Sequence, residues 1–202
     1  WKPLPDSPVT ASASVSYGDL ADIVALAGKP DVPVTGALRA TALVGGTFGN
    51  PLGTLTVDVV KGSAWQEPFD QLQARVEMAD RVVRVPGAYI SSGPSRIELN
   101  GRFDHPRDSF TTGHVDARLQ TRQVTLETFR QLLKNRPGLA GSVDLNAHVT
   151  GDLAANSQFQ LSSVNGDFGV RGLRADGQGY GDLTGTARTA GNTVSYQVRS
   201  NF

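Results

Sequence analysis

The chain has 202 residues, 39% of them hydrophobic, with 19 basic and 19 acidic side chains and a formal net charge of zero. That length can bury a core, the apolar content argues against wholesale disorder, and the lack of a basic surplus argues against nucleic acid as a partner. There is no cysteine for disulfide or thiol chemistry, and no run approaches the roughly 20 apolar residues of a membrane-spanning helix.

Trp1 to Pro5 lack the charged start and apolar middle of a secretory signal. A first strand is expected near Val9 to Tyr17. From Asp19 to Ala27, Leu20, Ile23 and Leu26 recur at spacings of three, which predicts a short amphipathic helix capped by Asp19 and ended before Pro30. Period-two alternation then dominates. Leu55, Val57 and Val59 alternate with Thr54, Thr56 and Asp58, and Leu72, Ala74, Val76 and Met78 alternate with Gln73, Arg75 and Glu77. Ile97, Leu99 and Phe103 alternate with Glu98, Asn100 and Arg102, and Val115, Ala117 and Leu119 with Asp116, Arg118 and Gln120.

A second short helix is expected over Thr125 to Lys134, with Leu126, Phe129, Leu132 and Leu133 on one side, a Thr cap and Pro137 beyond. Alternation resumes with Val143, Leu145, Ala147 and Val149, and again with Val194, Tyr196 and Val198. Leu38, Val83, Val85, Phe159 and Leu161 complete the apolar set. Each strand has one oily and one wet face, as in an antiparallel sheet solvated on one side.

The two helices expose an internal repeat. With residue 20 laid on 126, the pattern L-x-x-[I/F]-x-x-L recurs, Gly36-Ala-Leu-Arg-Ala matches Gly141-Ser-Val-Asp-Leu, and Gly62 matches Gly166. The chain then reads as one copy over 9–112 and a truncated second over 113–202, forming one continuous unit. Both ends read as cuts inside a longer protein, which would leave unpaired edge strands.

No catalytic or metal constellation emerges, and no cofactor is expected. Asp104-His105-Pro106-Arg107-Asp108 reads as a polar turn. His114 and His148 stand alone, without metal-ligand spacing. The Gly45–Gly49 and Gly177–Gly181 clusters lack the strand-then-helix context of a phosphate loop. What remains is the oily face. Alternation alone suits a closed β core; the other reading is a groove that stays open and holds something apolar.

Four segments carry a family resemblance: Gly46-Thr-Phe-Gly-Asn-Pro-Leu-Gly-Thr-Leu, Phe69-Asp-Gln-Leu-Gln-Ala-Arg-Val, Leu99-Asn-Gly-Arg-Phe, and the run from Arg136-Pro-Gly-Leu to Thr150-Gly-Asp-Leu. Their cadence, over roughly 9–202, resembles the TamB family of translocation and assembly modules within the wider AsmA-like group. The resemblance implies a mainly β fold, an elongated curved antiparallel sheet (a β-taco or half-pipe) with a hydrophobic concave side. It also implies an inner-membrane anchor, a path across the periplasm, and a non-enzymatic part in outer-membrane biogenesis. The partners implied are phospholipid acyl chains or nascent outer-membrane β strands, and an outer-membrane barrel-assembly partner met through other parts of the protein. The groove would then be lined by Leu38, Leu55, Val57, Val59, Leu72, Val76, Val83, Val85, Ile97, Leu99, Phe103, Val115, Leu119, Val143, Leu145, Val149, Phe159, Leu161, Val194, Tyr196 and Val198. Two helices depart from an uninterrupted β rod. The alternatives are a structural or adhesive surface repeat with a closed core, and a carbohydrate-active β-helix enzyme with clustered carboxylates.

Overall fold

The computed structural model describes residues 4–26, 28–107, 109–156 and 158–201. Ala27, Asp108, Phe202 and the Leu132 side chain, each part of an expectation above, lie outside the described residues. Strand accounts for 71% of the described residues, in one open antiparallel sheet of 11 strands. The strands are β1 (Ala11–Asp19), β2 (Val34–Thr47), β3 (Asn50–Ala64), β4 (Glu67–Ala79), β5 (Val82–Ser92), β6 (Ser95–Asp104), β7 (Gly113–Thr125), β8 (Ala140–Leu153), β9 (Phe159–Ala175), β10 (Gln178–Ala190) and β11 (Thr193–Ser200). Helix α1 (Leu20–Leu26) follows β1; a 3-10 turn (Leu126–Thr128) and helix α2 (Arg130–Asn135) follow β7.

Each strand pairs only with its neighbours in sequence, so the sheet is a meander. Tight turns make this possible. Pairing runs up to Ala64↔Glu67, Ala79↔Val82, Ser92↔Ser95 and Ala175↔Gln178, leaving two-residue loops. Trp65 and Gln66 (φ 49 and 70), and Asp80 and Arg81 (φ 35 and 63), both sit in the left-handed region. That geometry matches the right-handed twist of the flanking strands.

The strands are too long to stay straight, and β-bulges bend them. One row lies toward the edge bearing the helices, at Val15/Gly18, Thr35/Ala37, Thr121/Val124, Ala140/Ser142 and Gly181/Leu183. Others lie toward the opposite edge, at Arg75/Glu77, Val85/Ala88 and Thr150/Gly151. An extra residue on one strand kinks it and raises its twist, so bulges toward both ends of the strands bend the sheet. The product is a curved half-pipe not closed into a barrel.

The helices occupy one edge. Asp19 Oδ1 accepts the Ala21 N–H at 2.9 Å, the expected cap of α1. The second helix is not the single segment read from the sequence: it breaks at Phe129 (ψ 98), and Thr125 makes no side-chain cap bond. A distant carboxylate takes that role, since Glu67 at the start of β4 accepts the Arg130 and Gln131 N–H groups at 2.8 and 2.6 Å. Gln131 Nε2 also donates to the Trp65 carbonyl, and Lys134 Nζ to Gln66 Oε1. The segment leaving β7 therefore runs back along the edge to the β3–β4 turn. Replacing Glu67 by Ala should cost about 1 kcal/mol, the usual worth of a helix cap. Faster amide exchange confined to Arg130 and Gln131 in that variant would show it.

The two helical insertions stand six strands apart, and Gly36 and Gly141, near the starts of the strands that follow them, have φ 144 and 137. The β8–β9 connection is longer than the two-residue β2–β3 turn, Phe48-Gly49.

Candidate functional site: the apolar face

The strand registers decide which side chains share a face. Leu38 and Ala40 lie opposite Val59 and Val57, and those two opposite Leu72 and Ala74. Leu55 faces Val76, Met78 faces Val83, and Val83 and Val85 face Phe103 and Gly101. Ile97, Leu99 and Phe103 meet Thr121, Leu119 and Val115. Thr121 and Ala117 meet Leu145 and Val149; Val143 and Leu145 meet Val170 and Phe168; Gly151 and Leu153 meet Leu161 and Phe159. Val170, Phe168 and Gly166 lead through Leu183, Gly185 and Ala187 to Ser200, Val198 and Tyr196, with Val194 opposite Thr189. Directly opposed residues in a sheet point the same way. Every apolar residue named for the groove therefore stands on one face, running from β2 to β11. Strands spaced at ~4.8 Å give it a reach of about 40 Å.

Sequence reading missed part of this face. Phe168, Val170 and Leu183 belong to it, but their strands are broken up by glycine and carry no long apolar alternation. The glycines have a structural role. The Phe69, Phe159 and Phe168 rings lie over Gly62, Gly151 and Gly185, where any Cβ would collide with them. An aromatic ring laid over a cross-strand glycine pins the register and keeps the phenyl close to the sheet.

The face is covered only at the helix-bearing edge. There Leu38, Val59 and Phe69 are buried, with Leu20 and Ile23 of α1 packed on them. A small cavity of about 90 Å³ lies beside this cluster, lined by Phe69, Ile90, Ile97, Val124 and Phe129. Away from that edge the face is open, with Leu99 42% exposed and Leu161 54%. A closed core is therefore not the arrangement here. Nor is the fold a β-helix, whose strands are parallel; every pairing here is antiparallel.

The opposite face is polar. Residues two apart on a strand share a face, which sets Arg75 by Glu77, Arg96 by Glu98 and Arg102 by Asp104. His114 and His148 are not isolated, as the sequence suggested: His114 Nδ1 lies 2.9 Å from Asp152, and His148 Nε2 lies 2.8 Å from Asp116, each across a strand pair. Asp104 to Arg107 lead into the β6–β7 connection, as the expected turn does, but one of their side chains is not solvated. His105 is buried, stacked between Phe103 and Phe110, and its Nδ1 lies 2.7 Å from the Pro106 carbonyl. A wide dish of about 660 Å³ lies over β8 to β11, and its lining mixes Leu145, Phe168, Val170 and Leu183 with Asp144, Asp167, Arg171 and Arg199. Arg171 and Asp144 pair there at 3.0 Å. Among the described residues no cluster of three His, Cys, Asp or Glu could hold a metal ion.

The hydrogen bond from the Arg102 guanidinium holds the Asp104 carboxyl below the usual carboxylate range. A carboxyl whose pKa is lowered by folding contributes stability above its unfolded pKa and loses it as pH falls through the folded value. Arg102→Ala should move the Asp104 titration up toward the ordinary range, read by carboxyl-carbon NMR. Both side chains are over a third exposed, so solvent screening keeps the effect on stability small.

No protein-family model, curated protein or solved structure matches the chain.

Proposed function

We propose that this chain is a non-enzymatic, periplasmic segment of an envelope-spanning protein of the TamB or AsmA-like kind, and that its apolar face carries phospholipid acyl chains or shields nascent outer-membrane β strands during outer-membrane biogenesis. The observation that carries the reading is one apolar face, continuous across ten strands and covered only along the edge that bears the helices. A water-exposed strip of Val, Leu, Ile and Phe on this scale marks a surface that meets something apolar.

The chemistry is burial alone. Each methylene removed from water contributes about 0.8 kcal/mol. Among the described residues the registers place no charged side chain opposite the strip's apolar ones, so an acyl chain can shift along it without breaking a specific bond. The phenyl rings laid over glycines keep its floor low. The same strip suits the apolar side of an unfolded amphipathic strand, whose polar side stays in water.

Native mass spectrometry of the chain, purified from a bacterial periplasm without detergent, tests the reading. Adducts of phospholipid mass that disappear on organic extraction, and return on incubation with vesicles, are expected. A bare chain that takes up neither phospholipid nor unfolded outer-membrane protein would refute it.

A further inference from the structure

We propose that the small cavity at the helix-bearing edge is a seat for the methyl end of one acyl chain, so that a chain on the apolar face comes to rest along β6 with its end against Phe129. The proposal rests on the groove reading above, and it adds a fixed station to a face along which chains otherwise slide. The cavity measures about 90 Å³ and is walled by Ala64, Phe69, Ile90, Ile97, Val124 and Phe129. Its walls belong to the apolar face. Ile90 lies opposite Leu72 and Ile97, Val124 lies opposite Val143, and Phe69 packs in the buried cluster with Leu72 and Ile90. Two residues along the same strands, Ala88 and Leu99 are opposed, and Leu99 is in the open part of the face. The cavity therefore continues that face under the covered edge.

Phe129 stands at the break between the 3-10 turn and α2, and the segment that carries it is held from β4 and its turn. Glu67 accepts the Arg130 and Gln131 N–H groups, and the Gln131 side chain donates to the Trp65 carbonyl.

What the cavity offers selects its occupant. Among the described residues Glu67 is the one charged residue in the lining, and both of its carboxylate oxygens are taken by those two N–H groups. Ser95 Oγ donates to the Gln123 carbonyl and accepts the Thr125 N–H, and Thr128 Oγ1 donates to the Thr125 carbonyl. The other hydroxyls in the lining, Ser91 and Ser92, stand at the β5–β6 turn. An enclosed water needs about two to four polar partners, and apolar cavities stay dry and take apolar guests. Charge and hydrogen bonding thus match an uncharged hydrocarbon end. A peptide strand would bring amide groups that need partners, whereas β4 to β7 are inner strands already bonded on both sides. Length agrees. A phospholipid chain spans half of a ~30 Å hydrocarbon core, about 15 Å, and from Ile97 to Phe103 the apolar side of β6 runs about 20 Å. A chain with its end in the cavity finds apolar wall for its whole length.

Solution NMR of the chain with lysophosphatidylcholine, isotope-labelled at its terminal methyl and kept below its micelle concentration, tests the seat. Contacts from that methyl to the Ile90, Ile97 and Val124 methyls are expected, and contacts from the choline methyls to none of them. Ala64→Leu fills the cavity, and Phe129→Ala opens its wall without touching a strand, so the second variant serves if the first does not fold. Each should weaken binding about tenfold or more, because every methylene returned to water costs about fourfold in affinity. Terminal-methyl contacts spread evenly over the face, with affinity unchanged in both variants, would overturn the seat and leave the groove reading intact. An unfolded outer-membrane strand peptide that contacts Ile97 and Val124 where the lysolipid does not would make hydrocarbon the wrong occupant. No lysolipid binding at all would overturn the seat and the phospholipid reading together.

Discussion

Leu145→Arg should leave the chain folded and remove most of its capacity for acyl chains. Leu145 lies in the middle of β8 on the apolar face, opposite Thr121 on one side and Phe168 on the other, and it is half-buried. No second layer covers it there, so the long Arg stem can lie along the oily wall with its guanidinium in water. The expected cost is about 1–2 kcal/mol, ordinary for a point substitution. The guanidinium nevertheless interrupts the strip, and a methylene forced next to it loses the burial that held it. Thermal melts and phospholipid retention on the same sample separate the two effects. A folded variant with unchanged retention would remove this stretch of the face from the mechanism.

Val59→Asp should have the opposite outcome, although Val59 lies on the same face. Val59 is 0% exposed, beneath α1 and against Leu38 and Phe69. A carboxylate there has no cation beside it and no route to water, and an uncompensated buried charge costs about 3–5 kcal/mol. Domains of this size are stable by about 5–15 kcal/mol, so the variant should lose much of its stability and release α1. Leu99→Asp, on the same face but 42% exposed, should cost about 1 kcal/mol or less. Chemical denaturation of the pair measures whether the face is open in its middle and closed at the helix-bearing edge. Equal losses would mean that the whole face is packed against something.

The contrast between those two residues was not legible in the sequence, where Val59 and Leu99 look alike in alternating runs. Alternation did reveal the face, because a side chain's side of a sheet follows from counting by two. It also revealed α1, whose cap and spacing are local. It did not reveal the bulges that bend the strands, because one extra residue leaves no composition signal. The hairpins at Trp65-Gln66 and Asp80-Arg81 lack the glycine that usually marks such turns, so their tightness was hidden. The break at Phe129 and the Glu67 cap arise from a contact across 63 residues, beyond the reach of local patterning. His105 read as a polar turn residue because its burial depends on Phe103 and Phe110 folding over it.

Site-specific photocross-linking tests the central claim most directly, because adjacent residues on one strand face opposite ways. A benzophenone side chain at Leu145 or Leu119, on the apolar face, and another at Asn146 or Arg118, on the polar face, would be irradiated in cells and the adducts identified by mass. The account predicts adducts of phospholipid or outer-membrane protein at 145 and 119, and none at 146 and 118. Adducts of equal yield on both faces, or on the polar face alone, would contradict it.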